Sequence, residues 1–154
     1  MAVDLRPFGD PGSDAFRVEA YPFYQLNRVV GRYNVVIEAE LRRIELDIPT
    51  WRVLMILGEQ SPLPLGQVAR SAVINLSTMV RIVERMERAR LVETSPNCED
   101  GRVTDVGLTG DGRSRLAEAR QATAPIFGKL IRGISARDFA KLLRLLSLIH
   151  DNLE

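Results

Sequence analysis

The sequence predicts a mainly α-helical fold that carries one small β-hairpin. Two observations support this fold class. Apolar residues recur at spacings of three and four through most of the chain, which indicates amphipathic helices. Near residue 100, two short β-prone segments flank a polar loop rich in turn-forming residues, which indicates a hairpin. The predicted order is four helices, the hairpin and two further helices.

The composition is that of a globular domain. The 154 residues are 45% hydrophobic and 27% charged, which is enough to bury a core. No apolar stretch is long enough to span a membrane and the N-terminus does not read as a signal peptide, so we expect a cytoplasmic protein without membrane contact. One cysteine, one histidine and no nucleophile motif or paired carboxylates lead us to expect no metal, no cofactor and no catalytic activity.

The first half of the chain is predicted as a tail followed by three helices. Prolines and glycines among charges predict a flexible tail over residues 1–14. The apolar spacing over about 21–45 predicts a long helix. Pro49 suits the first turn of a second helix, which ends near Gly58, and a short third helix follows over 64–72.

The second half begins at Asn75, a good N-cap for the fourth helix. One face of that helix is apolar and is expected in the core: Met79, Ile82, Val83 and Met86. The segments LVETS and TDVGL form the predicted hairpin. Thr109 caps a helix that runs to about residue 132, where Pro125 is expected to kink or interrupt it, and Ser135 caps the last helix.

The third and fourth helices form a candidate helix-turn-helix unit, because they differ in length and a tight turn joins them. In such a unit the second helix can enter the DNA major groove. At about 100° per residue, its outward face carries hydroxyls and arginines, which bind phosphates and base edges. A solvated face with ion pairs such as Glu84 with Arg88 is the alternative. The candidate DNA contacts are Asn75, Ser77, Thr78, Arg81 and Arg85, with Arg88 further along the face.

A hairpin directly after such a helix is a wing, which makes residues 47–109 a winged helix-turn-helix domain. Arg102 near the tip can enter the minor groove, and Asp100 can hold it by a charge-assisted hydrogen bond. An ordinary polar hairpin tip is the alternative. The charge balance keeps it open, because residues 75–102 carry five arginines and five acids and the whole chain has a net charge of only +1.

The stretch STMVRIVERMERARLVETSPNCEDGRVTDVGLTGDG resembles the recognition helix, wing and following helix start of the MarR family of bacterial transcriptional regulators. The resemblance implies a homodimeric repressor that binds a pseudo-palindromic operator and is released by a small effector. It places Ser77, Thr78 and Arg81 at groove-reading positions and Arg102 at the wing arginine. Gly101 departs from the family, which often has a second arginine there. The repressor function that the resemblance implies would place the protein on the DNA of the bacterial nucleoid.

The terminal regions, residues 15–46 and 110–154, are predicted to form a helical dimerisation region. The last helix has more apolar surface than packing on a small domain needs. Pairing two chains about a two-fold axis would bury that surface and set two recognition helices roughly 34 Å apart. A core helix packed within one chain is the alternative. The stripe consists of Phe139, Leu142, Leu145, Leu146 and Ile149, with Leu143 and Leu148 beside it.

In the family, the effector commonly sits between the dimerisation helices and the winged domain. Arg28 and Arg32 lie one helical turn apart and can clamp a carboxylate, while Tyr33 and Trp51 can supply apolar walls beside Arg52. This pattern favours an aromatic carboxylic acid or its thioester as the effector. The alternative is that Trp51 belongs to the core and the arginines to the surface.

The remaining question is whether the only cysteine, Cys98, makes the protein a redox sensor. The acidic neighbours Glu99 and Asp100 oppose thiolate formation, which argues against it. The leading hypothesis is therefore a ligand-responsive DNA-binding regulator. The rival hypothesis is a dimeric winged-helix interaction module that does not bind DNA specifically, and the nearly neutral helix and wing are what favour it.

Overall fold

The computed structural model describes residues 4–154, and over them it confirms the mainly helical fold with a small antiparallel sheet. The seven helices of this described range are α1 (Arg6–Gly9), α2 (Pro22–Arg43), α3 (Ile48–Glu59), α4 (Leu65–Ala72), α5 (Leu76–Arg88), α6 (Gly110–Leu130) and α7 (Ala136–Asp151). The strands are β1 (Leu63–Pro64), β2 (Val92–Pro96) and β3 (Thr104–Leu108). A turn of 3-10 helix spans Val18–Ala20.

The N-terminal segment is more regular than the predicted tail. The first three residues lie outside the described range, but α1 forms one helical turn within the segment expected to be irregular. The backbone N–H of Arg17 donates to the carbonyl of Phe8 at 2.8 Å, and the Arg17 guanidinium lies 5.4 Å from the centre of the Phe8 ring. This local contact was not predicted, since four residues are too few to show a helical period.

Side-chain caps define where the main helices begin. The carbonyl oxygen of the Asn75 side chain accepts from the N–H of Thr78 at 2.8 Å. Thr109 and Ser135 cap α6 and α7 in the same way, so the three predicted caps are confirmed. Asp47, which was not predicted as a cap, serves α3 and leaves Pro49 in the first turn as expected.

The predicted hairpin is confirmed as β2 and β3, which pair antiparallel with Thr94 opposite Val106. A third strand was missed: β1 pairs with the other edge of β3, giving the order β1-β3-β2. Strand β1 consists only of Leu63 and Pro64. Two residues cannot show an alternating pattern, so the sequence carries no strand signal there. The sheet anchors the base of the wing to the loop between α3 and α4.

The core lies where α3 meets α2, α4, α5 and α6. Val53 and Leu54 on α3 are fully buried at its centre, and Leu116 and Ala119 bring α6 against it. Gly112 lets α6 start against the strand region, because a Cβ there would clash with the carbonyl of Leu91. The whole predicted apolar face of α5 is buried: Met79, Ile82, Val83 and Met86.

Helix α7 is different, because no residue of Ala136–Asp151 is buried. Its aromatic contact with the preceding helix joins Phe139 to Phe127, with ring centres 6.2 Å apart. Helix α6 continues through Pro125 as one helix, which excludes the interruption and leaves the kink as the remaining alternative of that prediction. Because no residue of α7 is buried, its leucine stripe has no packing partner among residues 4–154: Leu142, Leu143, Leu145, Leu146 and Leu148 are all exposed.

Candidate nucleic-acid interface and effector groove

The turn between α4 and α5 sets the position of the recognition helix. Val73 ends α4 in the left-handed conformation, with φ of 55°. Its N–H donates to the carbonyl of Arg70, and the N–H of Ile74 reaches back to the carbonyl of Ala69, both at 3.0 Å. These two hydrogen bonds satisfy carbonyl groups in the last turn of α4 and turn the chain toward α5. Helix α5 then starts two residues later behind its Asn75 cap.

Helix α5 is fixed on both edges of its buried face. On one edge, Arg85 Nη2 donates to Asp47 Oδ2 at 2.6 Å and to Thr50 Oγ1 at 2.9 Å, which ties the helix to the start of α3. On the other edge, Glu87 Oε1 accepts from the N–H of Thr94 at 3.1 Å and from its hydroxyl at 2.7 Å. The two hydrogen bonds between Glu87 and Thr94 join α5 to β2, the first strand of the wing. The helix and the wing are therefore held as one unit.

Between these two edges lies a solvent-facing strip of α5. Ser77, Arg81, Glu84 and Arg88 are all exposed on it. Within residues 4–154, neither Arg81 nor Arg88 has a carboxylate within salt-bridge distance, so the ion pairs of the solvated-face alternative are not formed. The strip offers free guanidinium groups to a ligand.

The first turn of α5 is partly occupied by its own cap. The Asn75 side-chain oxygen accepts from the N–H of Thr78 and also from the Ser77 hydroxyl, the latter at 2.9 Å. This leaves the amide NH2 of Asn75, the oxygen of Ser77 and the hydroxyl of Thr78 for other partners. The predicted contacts in this turn are thus brought together on one exposed end of the helix.

Arg85 is placed differently from the other candidate contacts. Its guanidinium is half exposed and is bonded to Asp47 and Thr50, so it ties α5 to the start of α3. Burial acts to raise the pKa of Asp47, but the hydrogen bonds from Thr50 and the charge of Arg85 outweigh it and lower that pKa. This pair could not be predicted from the sequence, because its members lie 38 residues apart.

The wing tip has the local geometry that the sequence predicts. Arg102 donates from Nε and Nη2 to the two oxygens of Asp100, both at 3.0 Å, and its side chain is 91% exposed. The hydrogen bonds from Arg102 lower the pKa of Asp100. Asn97, which was not predicted, shapes the loop: its side-chain oxygen accepts from the N–H groups of Glu99 and Asp100. Cys98 is exposed beside it.

A groove of about 700 Å³ runs between α2 and α6. It brings together Arg28, Arg32 and Tyr33, as the sequence predicts, and adds Lys129, which the sequence did not indicate. None of the described residues lining it is acidic, so the groove is positive. Its lining consists of Gln25, Arg28, Val29, Arg32, Tyr33, Val36, Ile126, Lys129 and Leu130.

Trp51 and Arg52 do not line this groove, unlike the other predicted effector residues. Trp51 packs against the core, as the alternative had it, and its Nε1 is buried without a hydrogen-bond partner among residues 4–154. Arg52 lies close to the groove: burial raises the pKa of the Tyr33 hydroxyl, and the charge of Arg52 opposes that shift. The charge of Arg52, at the start of α3, thus acts on the Tyr33 side of the groove.

No helix within residues 4–154 has the length and apolarity to cross a membrane. In the same range, no group of histidine, cysteine and acidic residues is arranged to hold a metal ion.

Comparison with known proteins identifies relatives of the whole chain. The model of the MarR family matches residues 46–104. The HTH-type transcriptional repressor IacR of Pseudomonas putida is 41% identical over 145 residues, which are 94% of this chain and 87% of the relative. A MarR-family regulator from Silicibacter pomeroyi has a crystal structure with a TM-score of 0.81 and 26% identity, covering 90% of this chain and 93% of its own.

One structural neighbour is described together with a ligand. The structure of Bordetella bronchiseptica BpsR concerns the regulation of its DNA binding by 6-hydroxynicotinic acid. It has a TM-score of 0.74 and 23% identity, over 84% of this chain and 93% of BpsR. At this identity the similarity establishes the shared fold.

Proposed function

The chain belongs to the MarR family of transcriptional regulators, and from this premise we propose that it is a homodimeric repressor released from its operator by a small aromatic acid. Family membership makes it a DNA-binding winged helix-turn-helix regulator. The rival hypothesis of an interaction module predicts, in contrast, no preference for one DNA sequence over another. The proposal concerns the DNA contacts, the dimer and the effector.

The DNA contacts follow from the free strip of α5, which is the observation that carries the proposal. Ser77, Thr78 and Arg81 contact base edges and phosphates of the major groove, because they are exposed at the leading end of a helix fixed on both edges. Asn75 orients this turn through its cap. Arg85 acts from behind by holding the helix against α3.

The wing supplies the second DNA contact. Arg102 enters the minor groove, where the negative potential favours a guanidinium group. Asp100 fixes its direction through the bidentate pair, and this pairing also offsets part of its charge. The wing therefore contributes more to orientation than to overall electrostatic attraction.

A second copy of the chain covers α7. The helix has a stripe of exposed leucines and no buried residue. A partner chain related by a two-fold axis buries this stripe on both chains at once. Pairing at this end of the molecule holds two α5 helices for successive major grooves on one face of a pseudo-palindromic operator.

The effector lies in the groove between α2 and α6. Arg28, Arg32 and Lys129 provide positive charge for a carboxylate, while Tyr33 and the aliphatic lining accept an aromatic ring. An aromatic carboxylic acid or its thioester fits this combination. That BpsR, which shares the fold, is regulated by an aromatic acid is consistent with this class. Arg52, on α3, acts electrostatically on Tyr33 of the groove, and the Nε1 of the adjacent Trp51 is buried without a hydrogen-bond partner among residues 4–154.

The DNA-binding part is tested by titrating the protein against the intergenic DNA upstream of its own gene. We expect sequence-specific binding that weakens by about 10³-fold or more between roughly 50 and 200 mM salt, because bound counterions are released from the phosphates. Scrambled DNA of the same length is the control. Binding that is equal on both DNAs would contradict the proposal.

The effector part is tested by adding benzoate, phenylacetate or 6-hydroxynicotinic acid to the protein–DNA complex. We expect at least one of these acids to release the DNA. For the variant Arg28→Ala/Arg32→Ala, the acid concentration that releases half of the DNA should be at least about tenfold higher, because charged hydrogen bonds to the acid are lost. Arg42→Ala, on the same helix but bonded to Glu38 outside the groove, is the matched control. Equal acid sensitivity of all three proteins would contradict this site.

A further inference from the structure

Two apolar side chains project from the leading end of the recognition helix. Val73, in the turn before α5, is 89% exposed, and Leu76, its first residue, is 55% exposed. Ile74 between them packs against the core instead. The chain therefore turns one apolar residue inward here and leaves two facing solvent.

The fold does not account for a valine at position 73. The residue has φ of 55°, a left-handed conformation that glycine or asparagine adopts with little strain and a β-branched residue adopts at a cost. Its side chain gains almost nothing from packing, since it is nearly fully exposed. Neither backbone conformation nor core packing favours valine here, and its exposed side chain is free to make a contact outside the chain.

The location of the two side chains indicates what that contact is. Leu76 lies directly between Asn75 and Ser77, in the turn that presents its polar groups to DNA. Val73 precedes the same turn. An apolar pair at the end of a helix that enters the major groove meets base edges, and the apolar group displayed there is the C5-methyl group of thymine.

We propose that Val73 and Leu76 read a thymine C5-methyl group in each half of the operator. This inference rests on the proposed DNA-binding mode, and it adds an apolar element to the polar contacts of Ser77, Thr78 and Arg81. Hydrogen-bonding side chains recognise thymine through O4, whereas an apolar pair recognises the methyl group and excludes water from it.

The experiment replaces each thymine of the bound intergenic DNA, one at a time, by deoxyuridine. Uracil keeps every hydrogen-bonding group of thymine and lacks only the methyl group. For the wild-type protein we expect one thymine per half-site whose replacement weakens binding by about fourfold, the effect of one buried methyl group. The other thymines should tolerate the replacement.

Two variants assign the effect to these side chains. Leu76→Ala is expected to bind thymine and uracil equally at the sensitive position. Val73→Gly is expected to reduce the same discrimination while raising the melting temperature by about 2–4 °C, because it relieves the left-handed strain. A purely structural role would make stability and DNA affinity change together. Leu5→Ala, an exposed leucine on the N-terminal segment, is the control and should keep the full discrimination.

The outcomes separate this inference from the function it rests on. Specific binding that is indifferent to uracil at every position would overturn the methyl contact alone. Full discrimination in both Leu76→Ala and Val73→Gly would also overturn it. A wild-type protein that binds the intergenic DNA no better than scrambled DNA would overturn the proposed function together with this inference.

Discussion

Helices α5 and α7 have similar amphipathic patterns but opposite surroundings. The apolar face of α5 is buried against the domain, and its edges are bonded to α3 and to the wing. The leucines on the apolar face of α7 are exposed, Phe139 and Ile149 are half-buried, and no residue of Ala136–Asp151 is fully buried. The same helical spacing of apolar residues is therefore compatible with a buried face and with an exposed one. In α5 the apolar face packs the helix onto the domain, and in α7 it is left exposed for the second chain that we propose.

The largest expected effect comes from the buried face of α5. Met79→Ala should lower the free energy of unfolding by about 2–5 kcal/mol, because it leaves a cavity beneath the recognition helix. Chemical denaturation measures it. The exposed Leu148→Ala is the matched control from α7; measured on the monomeric background of Leu142→Glu/Leu145→Glu, where no dimer contact is lost, it should change the stability far less. Equal losses in both variants would remove the distinction between the two helices.

A smaller effect is expected on the free strip of α5. Arg81→Ala should weaken operator binding by about 1–3 kcal/mol and relax the preference at one base pair, without changing stability. Arg102→Ala should weaken binding more evenly across sequences, because its contact is with the minor groove. Binding to a set of singly substituted operators distinguishes them. Unchanged affinity in both variants would show that these arginines do not contact DNA.

The smallest effect concerns the link between α5 and α3. Asp47→Asn keeps an N-cap acceptor but removes the charge paired with Arg85, and should lower stability by about 0.2–1 kcal/mol at neutral pH, since the pair is half exposed. Because the folded-state pKa of Asp47 is lowered, its contribution is present above the unfolded pKa and disappears as the pH falls through the folded one.

Thermal unfolding of wild type and Asp47→Asn between neutral pH and about pH 3 measures this dependence. The gap between the two melting temperatures should close as the pH falls. Glu59→Gln, which removes an exposed acid without an ion pair among residues 4–154, controls for the loss of charge. A gap that is constant over this range would show that the charge of Asp47 does not stabilise α5.

The sequence could predict what depends on neighbours along the chain. The caps Asn75, Thr109 and Ser135 were recognisable because each bonds an N–H three residues later, and the pair of Asp100 with Arg102 spans two residues. The helices and the hairpin followed from their apolar periods. These local signals sufficed for the fold and for the exposed strip of α5.

The sequence could not predict what the tertiary fold brings together. The bond between Arg85 and Asp47 joins two helices, and the groove includes Lys129 only because α6 packs beside α2. Strand β1 is too short to show alternation and exists because β3 offers it an edge. Such features depend on distances between elements, which periodicity does not contain.

The most direct test of the account is a hydroxyl-radical footprint on the upstream intergenic DNA. Wild-type protein should protect two segments roughly 34 Å apart, one for each α5 of a dimer. The variant Leu142→Glu/Leu145→Glu, which places charges on the exposed stripe of α7, should sediment as a monomer and lose this paired protection while keeping its fold by circular dichroism. A variant that remains dimeric and protects both segments would contradict the assignment of α7 to dimerisation, and with it the comparison of the two helices.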